Sequence, residues 1–279
     1  MSSISSAFAR CRKERRAALI PYLTAGHPSL ETTERLLTSL VVGGADLIEL
    51  GMPFSDPIAD GPINQAAAAR ALAAGTTLSG VLELVARSRD RLGVPIVLFT
   101  YFNPIYAYGI DRFAEQASAS GLDGVLFVDL PPEEGEREVF PELLRRGIHN
   151  VSLVAPTSTR ERVRKAAASA TGFVYYVSRA GVTGDQTLVA PELVRRIKSL
   201  RRRLSLPLVV GFGISTPEQA AALGRVADGV VVGSALVRLV EEHAEDPSLY
   251  QLVEERMREL ARGVGDPRAQ SVDLTPERP

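Results

Sequence analysis

Eight short apolar runs, each followed by an amphipathic stretch with helical spacing, predict an α/β fold of the (β/α)8 TIM barrel type. Nearly continuous apolar runs are typical of parallel strands that are covered on both faces. An open doubly wound sheet would have fewer strands and a glycine-rich turn after its first strand. In this chain the glycine clusters come late, after the sixth, seventh and eighth runs, which favours the closed barrel.

The predicted elements follow one another along 279 residues without a linker, so we expect one domain over residues 1–279. An extra N-terminal helix over residues 4–14 is expected to close the bottom of the barrel. The predicted strands are residues 18–23, 46–50, 95–100, 124–128, 151–155, 173–177, 208–211 and 229–232. The predicted helices between and after them are residues 30–40, 78–91, 111–119, 133–146, 159–168, 191–203, 217–223 and 234–242. A final helix over 249–262 completes a core of about residues 17–262, and residues 263–279 are predicted to be a frayed polar tail.

The composition excludes several classes of function. Lys+Arg of 32 against Asp+Glu of 33 gives a net charge of -1, so no basic field suggests a nucleic acid partner. A single cysteine, Cys11, excludes an internal disulfide framework and a multi-thiolate metal site. Charges interrupt the N-terminal segment, and no apolar stretch has the roughly 18 residues of a membrane span. We therefore expect no membrane segment and a cytoplasmic location.

Lysine and histidine are scarce, and their positions narrow the chemistry. The only lysines are Lys13, Lys165 and Lys198, and the only histidines are His27, His149 and His243. No lysine ends a predicted strand, which argues against a Schiff-base mechanism. The histidines are scattered over the barrel, so no metal site is expected. Carboxylates are left as the groups that transfer protons.

Glycine clusters stand after the last three predicted strands, namely Gly181-Val-Thr-Gly184, Gly211-Phe-Gly213 and Gly233-Ser234. Glycine lets the backbone approach an anion, and the N–H groups of a following helix add a positive dipole. The loops after strands seven and eight of a barrel commonly build a phosphate site. We expect Ser234 to be the N-cap of the helix that follows and to face the phosphate. Tight turns without a ligand are the alternative, which three clusters on successive loops disfavour.

A carboxylate interrupts the second apolar strand. Glu49 stands between Ile48 and Leu50, so its side chain must point into the barrel mouth or be buried at a high cost unless it is paired. Partial desolvation would raise its pKa and suit it to exchange protons. The proline-rich loop that follows carries Asp56 and Asp60 and is long enough to act as a lid. Residues of a turn are the alternative interpretation of both aspartates.

Five segments of the chain together match a known family. They are Pro21-Tyr-Leu-Thr-Ala-Gly, Glu49-Leu-Gly-Met-Pro-Phe-Ser-Asp-Pro-Ile-Ala-Asp-Gly-Pro, Ala155-Pro-Thr-Ser, Ser178-Arg-Ala-Gly-Val-Thr-Gly184 and Gly211-Phe-Gly-Ile-Ser. From about residue 17 to residue 242 the sequence resembles the tryptophan synthase α subunit. The acidic motif is highly specific, whereas other phosphate-binding barrels share the glycine turns. The resemblance implies retro-aldol cleavage of indole-3-glycerol phosphate into indole and D-glyceraldehyde 3-phosphate, a carbon–carbon lyase reaction of tryptophan biosynthesis.

The same resemblance assigns roles to individual residues. Glu49 matches the general acid/base, and Asp60 matches the carboxylate that hydrogen-bonds the indole N–H and stabilises positive charge. Tyr175 matches a tyrosine beside Glu49 and the substrate. The phosphate-binding positions match Gly184, Gly213, Gly233 and Ser234. We expect Tyr22, Tyr101 and Phe212 to line the indole slot, with ordinary barrel packing as the alternative for each, and Phe127 to face outward.

Family members pair with a β subunit in an α2β2 complex, so the resemblance also implies a partner. Indole passes through a tunnel to the β subunit, which condenses it with L-serine. Pyridoxal phosphate would sit on the β subunit, and no cofactor is expected on this chain. The loops 53–60 and 179–184, the latter containing Thr183, would close over the substrate, and Asp56 and Asp129 fall at partner-contact or signalling positions. His27, expected to be exposed, stands where the family often has aspartate.

Two other functions stay open at the level of the sequence. The chain could be a catalytically weak subunit that mainly activates its partner, although intact Glu49 and Asp60 argue against this. It could also be another phosphate-binding barrel enzyme that acts on a different phosphorylated intermediate. Release of indole from indole-3-glycerol phosphate separates these functions.

Overall fold

The computed structural model describes residues 3–177, 190–211 and 213–265, and eight parallel strands in them close into a barrel. The strands are β1 (Ala18–Thr24), β2 (Ile48–Gly51), β3 (Ile96–Thr100), β4 (Gly124–Phe127), β5 (His149–Val154), β6 (Val174–Val177), β7 (Leu208–Gly211) and β8 (Gly229–Val232). Each strand pairs with the next in chain order, and β8 pairs with β1. The predicted TIM barrel is confirmed.

Helices surround the barrel and cover its outer face. They are α1 (Ser3–Lys13), α2 (Leu30–Val42), α3 (Pro62–Ala73), α4 (Leu78–Leu92), α5 (Phe102–Tyr108), α6 (Ile110–Ala119), α7 (Pro132–Glu138), α8 (Phe140–Arg145), α9 (Arg160–Ser169), α10 (Pro191–Arg201), α11 (Pro217–Gly224), α12 (Ser234–Glu242) and α13 (Leu249–Gly263). Neither α3 nor α5 is predicted by the sequence. Helix α3 is rich in alanine and lacks a clear apolar face, and α5 is too short to show a helical period.

The predicted helix over residues 133–146 is wrong, because the chain forms two helices there. Helix α7 ends at Glu138, and α8 begins at Phe140 with Pro141 in its first turn. Val139 between them has φ -121° and ψ -55°, away from helical geometry. Proline has no N–H to continue the earlier helix and restricts the residue before it, so a new helix starts at this point.

Helix α1 closes the bottom of the barrel, as the sequence predicts. Ile4 and Phe8 are buried among the inward-facing strand residues, and the Phe8 and Phe173 rings lie 5.6 Å apart between centroids. The outward-facing strand residues form a second, larger apolar layer with the surrounding helices. Phe127 belongs to that outer layer, where its ring contacts Phe102, so it faces outward as expected.

Aspartates bind the amino ends of neighbouring strands together. Each precedes an even-numbered strand, accepts a hydrogen bond from the backbone N–H of the strand before it, and pairs with an arginine. The N–H distances are 3.0 Å for Leu19 to Asp46, 2.8 Å for Ile96 to Asp123 and 3.0 Å for Leu208 to Asp228, and the arginines are Arg16, Arg89 and Arg201. These contacts fix the strand order at the bottom of the barrel.

The end of the chain is only partly described. Helix α13 runs to Gly263, one residue into the predicted tail, and residues 266–279 lie outside the described residues. The single domain over residues 1–279 stays a prediction. Across the described ranges, no lone helix has the length and apolar character to cross a membrane; only α3 and α4 taken together do, and they are bent by 96° against each other.

Candidate active site

Glu49 is the second residue of β2, level with Tyr22 in the carboxyl-terminal half of β1, and its side chain points into the barrel. Strand alternation turns Ile48 and Leu50 outward into the layer beneath the helices and Glu49 inward. Its register partners are Tyr22 on β1 and Val97 on β3, which both belong to the inner layer. The carboxyl ends of barrel strands are where such folds carry catalytic groups.

The Glu49 carboxyl group is buried without a partner. The residue is 1% exposed, and neither oxygen accepts a hydrogen bond from the part of the chain that the structure describes. Burial raises the pKa of Glu49 from 4.5 to about 8, because the charged form is poorly solvated there. The group therefore holds a proton at neutral pH and can release it without a large penalty.

Two buried tyrosines share this pocket with Glu49. Burial raises the pKa of both Tyr22 and Tyr175, and the nearby Glu49 charge raises each further. Glycines make room for their hydroxyl groups: a Cβ on Gly51 would lie 2.2 Å from the Tyr22 oxygen, and one on Gly211 would lie 2.0 Å from the Tyr175 oxygen. Neither glycine can therefore carry a side chain without displacing a tyrosine.

Asp60 is held over the barrel mouth by Tyr101. The Tyr101 hydroxyl donates to Oδ2 of Asp60 at 2.9 Å and accepts from the backbone N–H of Ala59 at 3.0 Å. Burial raises the pKa of Asp60, while hydrogen bonds from Tyr101 and Asn64 oppose this rise. The charge of Asp60 also acts on Tyr22, so the two carboxylates face a common space.

The loops after β7 and β8 lie side by side. Gly213 has φ +74°, a conformation that favours glycine, and it lines the same cleft as Ser234. Helix α12 begins at Ser234 with Gly233 as its N-cap, so the prediction that Ser234 is the N-cap is wrong. Gly233 has φ -114° and ψ -87°, and a Cβ there would already contact Tyr22. Ser234 is instead the first helical residue, and its backbone N–H is among those without an intrahelical partner.

Some predicted site residues cannot be located. Phe212, Thr183 and Gly184 lie outside the described residues, so their predicted roles stay predictions. The structure brings together Glu49 and Asp60 with the three tyrosines, and it places Gly213, Gly233 and Ser234 on the adjoining loops.

Asp56 and Asp129 lie on the carboxyl-end face of the barrel rather than in the pocket. Asp56 is exposed and accepts a hydrogen bond from the Ser55 hydroxyl at 2.9 Å, which fits its interpretation as a turn residue. Asp129 is also exposed and accepts from the backbone N–H of Phe102 at 2.7 Å, at the start of α5. Asp129 lies close enough to the site for its charge to raise the pKa of Tyr101 further, after burial and Asp60.

His27 is buried, so the expectation of an exposed histidine is wrong. It is 3% exposed, and its Nε2 lies 3.2 Å from Oε2 of Glu241 on α12, which also pairs with Arg70 on α3. Burial lowers the pKa of His27. The sequence gives no periodic signal for this packing, because it depends on how α3 and α12 meet.

Asn64 is a neighbour of Asp60 that the sequence does not single out. It lies in the first turn of α3, and its Oδ1 is buried without a partner in the described part of the chain. The only signal for it would be the recognition that α3 begins two residues after Asp60, which brings the Asn64 side chain within hydrogen-bond reach of that carboxylate. No group of three His, Cys, Asp or Glu side chains suited to a metal ion occurs among the described residues.

The barrel holds a protonated carboxyl group in its interior and has glycine turns on its last two loops. These two features define an acid–base enzyme of the phosphate-binding TIM barrel class. Comparison with known proteins makes this more specific. The family profile "Tryptophan synthase alpha chain" matches residues 8–264. The chain therefore belongs to the tryptophan synthase α chain family.

Individual relatives agree over nearly the whole chain. The tryptophan synthase alpha chain of Geotalea uraniireducens is 52% identical over 246 residues, which cover 88% of this chain and 92% of that one. The alpha chain of Solibacter usitatus is 49% identical over 265 residues, covering 95% and 99%. The crystal structure of tryptophan synthase subunit alpha from Legionella pneumophila has a TM-score of 0.88 at 39% identity, covering 95% of this chain and 98% of that chain.

Membership in this family establishes the activity. The chain is a lyase that cleaves indole-3-glycerol phosphate in tryptophan biosynthesis. It works with a β subunit, and pyridoxal phosphate belongs to that subunit, while the α chain carries no cofactor.

Proposed function

We propose that Glu49 and Asp60 divide the proton transfer and charge stabilisation of the lyase reaction between them. The observation that carries this proposal is the buried, unpartnered Glu49 carboxyl group, whose pKa is raised to about 8. Burial of such a group costs stability, and the surrounding barrel offers no structural use for it. A role in the reaction accounts for its position.

Glu49 acts as the general acid and then as the base. Cleavage requires a proton at C3 of the indole ring, and a protonated Glu49 can donate it. The bond between C3 and the glycerol carbon then breaks, its electrons return to the ring, and the hydroxyl on that carbon becomes the aldehyde of glyceraldehyde 3-phosphate. The hydroxyl proton passes to the Glu49 carboxylate, so the group ends the cycle as it began.

Asp60 stabilises the charge that forms on the ring. Protonation at C3 makes the ring nitrogen positive, and a carboxylate that accepts the ring N–H lowers the energy of that state. Tyr101 supports the ionised form of Asp60 by donating to Oδ2 at 2.9 Å. Tyr22, Tyr101, Tyr175 and Phe212 line the slot for the ring.

The substrate phosphate binds at the loops after β6, β7 and β8, through Gly184, Gly213, Gly233 and Ser234. The N-terminus of α12 supports this, because the first N–H groups of a helix have no intrahelical partner and attract anions. Glycine at residue 213 keeps this surface open at a backbone angle that side chains rarely adopt.

The β subunit docks on the carboxyl-end face of the barrel to form an α2β2 complex. Large apolar side chains are exposed there: Ile58, in the loop between β2 and α3, is 89% exposed, and Tyr106 on α5 is 64% exposed. Asp56 and Asp129, on neighbouring loops, supply polar contacts at this face, and Thr183 completes it. Burial of these apolar groups in a complex would be favourable.

The enzyme operates in the cytoplasm. Cys11 is buried and free, which fits a reducing compartment. Fractionation of the native cells with an antibody to the chain tests this, and recovery from an oxidising compartment would contradict it.

Indole release from indole-3-glycerol phosphate tests the residue assignments. We expect low activity from the chain alone and strong stimulation by a β subunit. Glu49→Gln should retain binding of a phosphorylated ligand and lose turnover by about 10³-fold or more, since Gln cannot exchange the proton. Arg225→Glu, an exposed change directly after the end of α11, serves as the control and should keep full activity.

Normal turnover by Glu49→Gln would overturn the acid/base assignment. Low activity of the unaltered chain with and without the β subunit would favour a subunit that mainly activates its partner. Sizing of the mixed subunits tests the α2β2 stoichiometry, and a complex of a different mass would contradict it.

A further inference from the structure

A groove with an arginine rim runs between α9 and α10 on the outside of the barrel. It encloses about 610 Å³ and extends from the carboxyl end of β5 to the residues that follow α10. The Glu49 pocket lies inside the barrel, so the groove is separate from the proposed active site.

The floor of the groove is apolar. Val163 and Ala167 on α9 and Leu200 and Leu204 on the α10 side line it, and all four pack against the outer core layer. Leu200 is buried, and the other three are half-buried. An apolar floor of this kind favours the body of a small organic molecule over a solvated ion.

The rim is positively charged, and only part of that charge is compensated. Five arginines line the groove, namely Arg160, Arg164, Arg195, Arg196 and Arg203, and its lining includes no aspartate or glutamate. Within the described residues, Arg195 pairs with Glu192 at 2.8 Å, and Arg196 donates to the carbonyl of Pro156. The side chains of Arg160, Arg164 and Arg203 form no ion pair or hydrogen bond with any described residue.

The high arginine content of the chain does not by itself account for the five arginines around this groove. A cleft of similar size, about 640 Å³, lies between α12 and α13. Two arginines, Arg238 and Arg256, line that cleft together with three glutamates, so its lining has no excess of positive charge. The chain as a whole has a net charge of -1. Five cations around one cavity are therefore an exception that repulsion opposes, and a bound anion would relieve that repulsion.

The arginines and the floor alternate with helical spacing on both helices. On α9, Arg160 and Arg164 are four residues apart, and so are Val163 and Ala167. On the α10 side, Arg196 and Leu200 are four residues apart, and Ser199 is followed at the same spacing by Arg203, two residues past the end of the helix. Residues at these steps share one face of a helix. Each helix thus presents guanidinium groups beside apolar side chains to the same groove.

We infer that this groove binds a small amphipathic anion, with a carboxylate or phosphate head on the arginines and an aromatic or aliphatic body on the floor. Guanidinium groups bind both heads through paired N–H donors, and the floor contributes by excluding water from the body of the ligand. The inference is independent of the roles proposed for Glu49 and Asp60.

Calorimetric titration of the full chain with three small probes tests the inference. Phenylbutyrate carries the carboxylate head, phenyl phosphate carries the phosphate head, and phenylbutanamide is the neutral match of the first. We expect phenylbutyrate to bind about tenfold or more tightly than phenylbutanamide, because the arginines distinguish the charge. In the double variant Arg164→Glu, Arg203→Glu, we expect the affinity for phenylbutyrate to fall about tenfold or more.

The double variant Arg137→Glu, Arg225→Glu is the matched control. It changes the net charge equally at exposed positions outside the groove and should bind phenylbutyrate as the unaltered chain does. Lyase activity should be unchanged in the groove variant. If phenyl phosphate alone keeps its affinity in that variant, the groove is a carboxylate site and phosphate binds elsewhere. Equal binding of acid and amide, or equal binding by both double variants, would overturn the inference.

Discussion

Two buried carboxyl groups at different levels of the barrel differ in whether they have hydrogen-bond and ionic partners. Asp46, just before β2, is fully buried and accepts hydrogen bonds from Arg16 at 2.9 Å and from the Leu19 N–H at 3.0 Å. Glu49, the second residue of β2, is buried to nearly the same degree and has no partner among the described residues. The chain thus places a compensated carboxylate just before β2 and an uncompensated carboxyl group within it.

This difference separates a contribution to stability from a contribution to the reaction within one short segment of the chain. A paired, ionised carboxylate holds neighbouring elements in place, and its removal leaves a buried arginine without compensation. An unpaired carboxyl group contributes no such contact but keeps a proton that it can transfer. The division agrees with the general pattern of TIM barrels, in which the amino ends of the strands serve the fold and the carboxyl ends serve the reaction.

The largest expected effect is a change in the free energy of unfolding, which should differ between variants of Asp46 and Glu49. Asp46→Asn should lower the free energy of unfolding by about 3 kcal/mol, because the buried Arg16 loses its buried ionic partner and keeps only the partly exposed Glu14. Glu49→Gln should leave that free energy unchanged or raise it, since Gln removes a desolvated acid. Urea unfolding at neutral pH measures both. Asp228→Asn, whose Arg201 partner is largely exposed, is the graded control and should cost less.

A smaller effect comes from the pH dependence of stability. The pKa of Glu49 rises from 4.5 to about 8 on folding, so the folded protein binds a proton that the unfolded chain releases. The stability associated with that proton is fully present below the unfolded pKa and is lost as the pH rises through the folded pKa. Between pH 6 and pH 8 the loss should be roughly 2 kcal/mol.

Glu49→Gln provides the control for this pH effect, because Gln does not titrate. The difference in unfolding free energy between the variant and the unaltered chain should grow with pH and level off above the folded pKa of Glu49. A difference that stays constant across this range would contradict the raised pKa. It would also remove the contrast with Asp46.

The features that arise from local periodicity could be predicted from the sequence. The apolar runs predict all eight strands because both faces of each strand are covered, and α12 is predicted to the residue over Ser234–Glu242. The inward orientation of Glu49 follows from the alternation of side chains in β2. Helix α3 was missed because its apolar face is weak, and the break at Val139 was missed because only the geometry around Pro141 reveals it.

Contacts between distant segments could not be predicted from the sequence. Tyr101 and Asp60 come from different loops, and only the closed barrel brings the hydroxyl to the carboxylate. The burial of His27 depends on the meeting of α3 and α12. The roles of Glu49 and Asp60 came from a family motif, which supplies the chemistry but not the hydrogen bonds that support it.

The smallest expected effect concerns Tyr101, which gives Asp60 the partner that Glu49 lacks. Tyr101→Phe removes the donor to Asp60 and the acceptor for the Ala59 N–H, while the ring still packs on Phe54. Loss of a hydrogen bond to a charged group should lower kcat/KM by about tenfold to a hundredfold. The pKa of Asp60 should rise, since that hydrogen bond opposes the effect of burial, and the acid limb of the kcat/KM profile should move to higher pH.

Tyr250→Phe, on α13 at the outside of the barrel, is the matched control and should change neither the rate nor the profile. If Tyr101→Phe lowered the rate without moving the acid limb, Tyr101 would support only the loop, and the contrast between a supported Asp60 and an unsupported Glu49 would not extend to catalysis.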